Sequence, residues 1–410
     1  MKDPFEEAGV DTRRAVVIVG ALAALVAVLA WWRPSVLGTV AVLGAFLVMI
    51  LLHELGHLVM AKRAGMKVTE FFVGFGPRLW SVQRGETEYG LKAIPLGGYC
   101  RIIGMTNLDE APPEDEPRTY RAKSYPQKMG VAFAGSFMHF LIATVLLFVV
   151  FVFAGNYLER RASTTVDLVE PGQPAAAAGL RAGDRIVSID GEPVASWDEV
   201  PAIVAPQGGE TVTFAVERDG REVDLDVTLA EETPSGEVRG YAGIAPTVEV
   251  PQPGLLEAAW LAPRETVALI GDSVAALFDM FSLDGIGNYL DTVRGDEPAG
   301  DAESNRFVSP LGFGRLANQA VTAGWVEVFG LLITINVFVG VFNLIPLLPF
   351  DGGHVAIGTY EAIASKVRRR KVQVDVAKLM PMTMAVIALL GFVFVTSLFL
   401  DLSNPIENPF

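Results

Sequence analysis

His53-Glu54-Leu55-Gly56-His57 lies within a long apolar run, Val36 to Met60. Two histidines four residues apart fall on one face of an α-helix and can share one metal ion. Glu54, adjacent to His53, can reach a water on that ion, the arrangement in which zinc lowers the pKa of a water and a carboxylate takes its proton. The competing interpretation is a polar patch packed between helices. A charged side chain at membrane depth costs about 2.5–3.5 kcal/mol, so three ionisable residues in five positions point to chemistry. A catalytic zinc takes three protein ligands and keeps one position open. The chain must therefore bring a third ligand from a distance.

The elements that position these residues are membrane segments. Of 410 residues, 51% are hydrophobic, and the mean hydropathy is +0.39, which exclude a soluble single domain and indicate a multi-pass membrane protein. Residues 1–33 form a charged tail and an apolar stretch from Ala15 to Trp32, expected as a retained helix anchored by Trp31 and Trp32. A signal peptide is the alternative, without a small-residue cleavage site to support it. Residues 34–61 form the spanning helix that carries the histidines, and Lys62-Arg63 beyond it put the metal towards the cytoplasmic face. Residues 129–154 form the next span.

Between them, residues 62–128 form a cytoplasmic-side β-loop region. Three short β-like runs, Thr69–Val73, Leu79–Val82 and Tyr89–Ile94, are separated by turn signals at Gly74–Pro77, Arg84–Glu86 and Pro95–Gly98. One of these strands, with Tyr89–Ile94 as the candidate, is expected to present an edge to an extended peptide; an ordinary cytoplasmic hairpin is the alternative. Cys100 is the single cysteine and reads as structural.

Residues 163–248 read as an α/β domain outside the cytoplasm. From Asn156 to Val250 there are 18 acidic and 7 basic residues, a net charge of −11 within the chain's −15. That balance argues against nucleic acid as a partner. Residues 254–324 read as an amphipathic helix, suited to the outer membrane surface or to packing on the neighbouring domain, followed by a polar, glycine-rich linker. Residues 325–353 form a broken membrane segment ending in Asn343-Leu344-Ile345-Pro346 and Asp351-Gly352-Gly353. The cluster Lys366, Arg368, Arg369, Arg370, Lys371 fixes that end as cytoplasmic. Asp351 and the histidine pair thus reach one membrane depth by independent charge arguments, which makes Asp351 the candidate third ligand. Residues 380–400 form the C-terminal span.

Taken together, His53–His57, Gly74–Pro77, Pro95–Gly98, the acidic domain and Asn343 through Gly352 resemble the RseP-type site-2 proteases, intramembrane zinc metalloproteases, over nearly the whole chain from Val36. The resemblance implies a multi-pass α-helical membrane protein with a membrane-associated β-hairpin or sheet and one extracytoplasmic PDZ-like domain, as in actinobacterial relatives. It implies Zn2+ bound by His53, His57 and Asp351, Glu54 as general base, and Asn343 positioning the substrate backbone. It also likens Tyr241-Ala242-Gly243-Ile244 to a PDZ carboxylate-binding loop, with Gly243 and Ile244 on the ligand. The partners so implied are the lipid bilayer and transmembrane protein substrates, such as anti-sigma factors after a first cleavage or remnant signal peptides, in the inner or plasma membrane. One departure is Gly135-Ser136-Phe137-Met138-His139, where the family usually shows Gly-Pro-x-x-Asn; His139 is expected near the zinc, replacing the asparagine as a hydrogen-bonding group, with a metal-ligand role as the alternative. His354 is expected at the interface. Two other classes compete: a membrane-anchored PDZ module with a closed structural metal site, and a zinc transporter, which would need polar residues along several helices.

Overall fold

The computed structural model describes residues 35–232, 238–295 and 307–403; the expected helix Ala15–Trp32 lies outside them. The chain divides into two units, residues 150–258 and the residues on either side of them.

Among the described residues of the larger unit, four helices are long and apolar enough to cross a membrane: Leu37–Arg63, Tyr125–Phe153, Trp325–Phe342 and Val376–Ser403. In hydrocarbon every backbone polar group must be satisfied internally, and such apolar runs do this as helices. The first is α1 (Ser35–Arg63) and the second α2 (Tyr125–Phe153). Small residues let them approach closely: a Cβ on Gly56 would stand 2.6 Å from the Ala134 carbonyl oxygen.

Strands β1 (Val68–Arg84) and β2 (Thr87–Ile102) connect these helices. Within these two long strands the chain turns back at Gly74–Pro77 and Pro95–Gly98, as expected, as well as between Arg84 and Thr87: Glu70–Val73 runs in step with Glu88–Leu91, and against Gly98–Arg101, while Trp80–Gln83 runs against Glu88–Leu91. Gly74, Gly76 and Gly97 take positive φ at these reversals, a conformation that glycine adopts without steric cost. The pair folds back on itself so that Tyr89, Gly90 and Leu91 each have two partners, one within Phe71–Val73 and one within Trp80–Val82. Tyr89–Leu91 is therefore an inner row, which corrects the expectation that Tyr89–Ile94 is the exposed edge. The open rows are Gly98–Ile102 and Arg78–Arg84. Phe71, Ile102, Leu58 and Val131 share one core that seats the hairpin on α1 and α2.

Residues 254–324 are more helical than expected. Helix α5 (Leu255–Met280) is followed by a 69° bend and α6 (Leu283–Arg294). The Ser282 hydroxyl accepts from Gly285 N–H at the start of α6, and Gly295 closes it in the left-handed conformation, so residues read as linker signals are caps. Helix α5 meets α2 through a 2.9 Å contact between the hydroxyls of Thr266 and Thr144. Helix α7 (Pro310–Ala323) packs on α1, with Ala317 beside Val42 and Met49. Helix α8 (Trp325–Phe342) ends in an irregular turn with a cis Leu348–Pro349 bond; then come α9 (Asp351–Arg368) and α10 (Met380–Ser403).

The smaller unit holds a sheet in the order β10-β3-β4-β6-β7, with β5 paired to β4, and a separate β8–β9 ribbon. Its strands are β3 (Arg161–Val169), β4 (Arg185–Ile189), β5 (Glu192–Pro193), β6 (Thr211–Arg218), β7 (Arg221–Thr228), β8 (Ala230–Glu232), β9 (Val238–Tyr241) and β10 (Ile244–Glu249), with helices α3 (Pro174–Ala177) and α4 (Glu199–Val204). Val166, Ile186, Ile189, Val212, Phe214 and Val227 make its core. Asp184 is buried against Arg218, at 2.7 Å.

Candidate metal centre

Helical spacing on α1 puts His53 and His57 side by side, each 8% exposed. The third member arrives through the turn after α8. Asn343 accepts from Gly352 N–H at 2.8 Å, which closes the turn and sets Asp351 at the first position of α9. A Cβ on Gly352 would lie 2.2 Å from the Leu344 carbonyl oxygen, so the closure requires glycine. Asp351 Oδ2 then stands 3.4 Å from His53 Nε2 and 3.2 Å from His57 Nε2, and the two Nε2 atoms are 3.2 Å apart.

These three distances test whether zinc fits. For ligands about 2.0–2.1 Å from a tetrahedral zinc, the separation between ligands is about 3.3–3.4 Å. The observed triangle is one face of such a tetrahedron. The protons agree with this. His57 Nδ1 lies 2.8 Å from the Val131 carbonyl oxygen, which can only accept, so Nδ1 donates and neutral His57 keeps a lone pair on Nε2. Asp351 Oδ2 is buried without a hydrogen-bond donor. Electron-rich atoms this close, away from water, need a cation between them.

Helix α2 supplies the wall beside this triangle. A Cβ on Gly135 would lie 2.3 Å from His53 Cε1 and 2.4 Å from His57 Nε2, so glycine here makes room for both rings. His139, 1% exposed, lies with its ring 5.0 Å from that of His53. Its Nδ1 is 2.9 Å from Asn336 Oδ1 on α8. Glu54 is half-buried on the side facing β2: a Cβ on Gly98 would be 3.3 Å from Glu54 Cγ, and the backbone of Cys100 lies beside the Glu54 carboxylate. Since Ile103 N–H points the other way, to the Lys67 carbonyl oxygen, strand alternation leaves the N–H groups of Gly98, Cys100 and Ile102 on the open edge.

The structure thus brings His53, His57 and Asp351 together, with Glu54 beside them and Asn343 in the turn that carries Asp351. Gly243 and Ile244 belong to the other unit. There Gly243, at φ +78°, accepts from Glu170 N–H at 2.9 Å, and Ile244 opens the outer strand β10. His354 is half-buried one turn beyond Asp351, edge-on to Tyr120 at 6.1 Å. Sequence reasoning missed Asn336, which a lone amide in an apolar span could have signalled. It also missed Val131, which acts through its carbonyl and leaves no signal.

The sequence model of peptidase family M50 matches residues 41–391. Zinc metalloprotease Rip1 of Mycolicibacterium smegmatis is 35% identical over 398 residues, covering 88% of this chain and 96% of that protein. Rip1 of Mycobacterium tuberculosis is 33% identical over 400 residues, with the same coverage. Among solved structures, the PDZ domain of the SdrC-like protein from Listeria innocua aligns at 26% identity with a TM-score of 0.19, covering 20% of this chain and 92% of that domain.

Proposed function

The chain belongs to peptidase family M50 and is a multi-pass membrane zinc metalloprotease with a PDZ-like domain, and from this premise we propose that it cleaves the transmembrane segments of single-pass membrane proteins. Membrane-bound anti-sigma factors, after a first cleavage, and remnant signal peptides are the substrates in view. The observation that carries the assignment is the triangle of His53 Nε2, His57 Nε2 and Asp351 Oδ2 at 3.2–3.4 Å. These three residues hold the zinc. Bound there, it supplies Lewis acidity to the scissile carbonyl and the attacking water. A closed structural site would use four protein ligands, and among the described residues three converge.

Each residue has a task in the mechanism. Glu54, on the β2 side of the pair, takes the proton from the attacking water and passes it to the leaving amine. Asn343, adjoining the Asp351 turn, holds the substrate backbone. A substrate helix must unwind before one of its peptide bonds can be attacked, and in a dry medium the freed N–H and C=O groups need new partners. The open edge at Gly98–Ile102 supplies them without regard to side chains. Lys62-Arg63 and the Lys366–Lys371 cluster orient the centre towards the cytoplasm. The acidic PDZ-like domain then lies outside and filters substrates, with Gly243 and Ile244 on the peptide it receives.

Glu54→Gln tests the roles together. It should retain stoichiometric zinc by metal analysis while losing cleavage of a co-expressed single-pass substrate, because the base is lost and the ligands remain. Zinc loss comparable to that of a ligand variant would remove Glu54 from the role of base.

A further inference from the structure

Two imidazoles offering Nε2 to one metal make the same demand at their far nitrogens. Each carries its proton on Nδ1, and that N–H needs an acceptor to fix the ring. His57 has the Val131 carbonyl oxygen at 2.8 Å. His53 Nδ1 is buried and makes no hydrogen bond. On α2 the residues facing the pair recur every four positions, Val131, Gly135 and His139, a single stripe of the helix. Val131 serves His57, Gly135 lies against both rings, and the ring of His139 adjoins that of His53 at 5.0 Å, tilted 47°.

The tautomer of His139 follows from its other neighbour. The Asn336 amide nitrogen donates to the Leu332 carbonyl oxygen at 2.7 Å and to Met49 Sδ at 3.1 Å. A carbonyl oxygen only accepts, so the group facing it is the NH2, and Oδ1 faces His139. His139 Nδ1 therefore donates, and neutral His139 keeps its lone pair on Nε2. We infer that His139, set in this tautomer by Asn336, is the positioning residue for His53, its Nε2 accepting the His53 Nδ1–H when zinc is bound. The two ligands are then oriented from one helix, His57 by a carbonyl and His53 by a histidine. The fully buried Asn336 also gains a purpose, since a polar group at that depth is retained where a network uses it. The inference rests on His53 being a zinc ligand.

The test uses the full chain in detergent, with zinc affinity measured by chelator competition and ligand geometry by the visible spectrum of the Co2+-substituted protein. His139→Leu should bind zinc about 10–100-fold more weakly and alter the cobalt bands, while apo-protein thermal unfolding stays near wild type. His139→Gln, which keeps an acceptor, should recover most of the affinity. Asn336→Leu, which frees the tautomer, should weaken binding in the same direction, and it carries the test should His139→Leu fail to fold. Wild-type affinity with an unchanged cobalt spectrum would overturn the inference. So would equal destabilisation of apo and loaded forms, which marks packing alone, or a loss as complete as that of His53→Leu, which would make His139 a ligand. His53→Leu runs in parallel: if it kept wild-type zinc affinity, the ligand assignment itself would fail, and if only His139→Leu kept wild-type affinity, the positioning role alone would fail.

Discussion

Gly135→Ala adds one methyl group where the structure is least able to take it. Its Cβ would stand 2.3 Å from His53 Cε1, 2.4 Å from His57 Nε2 and 2.6 Å from His53 Nδ1, whereas ordinary contact begins at 3.4 Å. Relief therefore needs a displacement of about 1 Å, against a tolerance of about 0.2 Å in metal–ligand distances. The rings cannot both retreat, because they project one turn apart from the same helix and His57 is tied to Val131 on the helix that bears the methyl. Withdrawal of α2 would cost about 1–3 kcal/mol as overpacking and would carry the Val131 carbonyl away from His57. A 1 Å misplacement at a reaction centre costs about 100-fold in rate, and we expect at least that in cleavage of a model transmembrane substrate, with weakened zinc retention on dialysis. Gly44→Ala on α1 is the control: no atom lies within 4 Å of its Cβ, and better helix propensity should stabilise the chain by up to about 1 kcal/mol. Wild-type turnover and full zinc in Gly135→Ala would refute the packing argument and with it the placement of the two imidazoles.

Asp351→Asn should weaken zinc binding as well as abolish activity, since a neutral amide is a poorer ligand than a carboxylate; wild-type affinity would remove Asp351 from the ligand set. Leu91→Pro, at a position paired on both sides, should cost the hairpin its hydrogen-exchange protection and abolish cleavage of every substrate while zinc remains bound. In the PDZ-like domain, burial pushes the Asp184 carboxyl up, but hydrogen bonds from Arg218 and from the Arg181 N–H bring it below the ordinary carboxylate range. A depressed folded-state pKa gives stability that is present above the unfolded value, about 3.9, and lost as pH falls below it. Exchange protection of this domain should accordingly fall below about pH 4. Asp184→Ala, which leaves Arg218 only the Gly179 carbonyl oxygen as an acceptor, should lower that protection already at neutral pH; protection unchanged by either perturbation would show that the pair does not hold the domain.

Much of the centre was legible in the chain because its signals are local. The i, i+4 spacing of His53 and His57 needs only helix geometry, and the expense of ionisable groups in an apolar run marks them as functional. Asp351 could be matched to the same depth because lysines and arginines near each segment orient it independently of contacts. The spans and the strands flanking Asp219-Gly220 followed from hydropathy and turn chemistry for the same reason. What the sequence could not decide is how segments far apart in it meet. Glycines at 74, 76 and 97 mark where the chain turns back, but the order in which the resulting rows pair depends on the strands alongside; hence Tyr89–Leu91 proved an inner row and Gly98–Ile102 the open one. Gly135 looks like any helical glycine until His53 and His57 are placed 2.3–2.4 Å from its absent Cβ. Val131 acts through a carbonyl that every residue has, and Asn336 through an amide whose partners lie on two other helices. Spacing along a chain fixes which side chains share a face, whereas packing between helices fixes what that face meets.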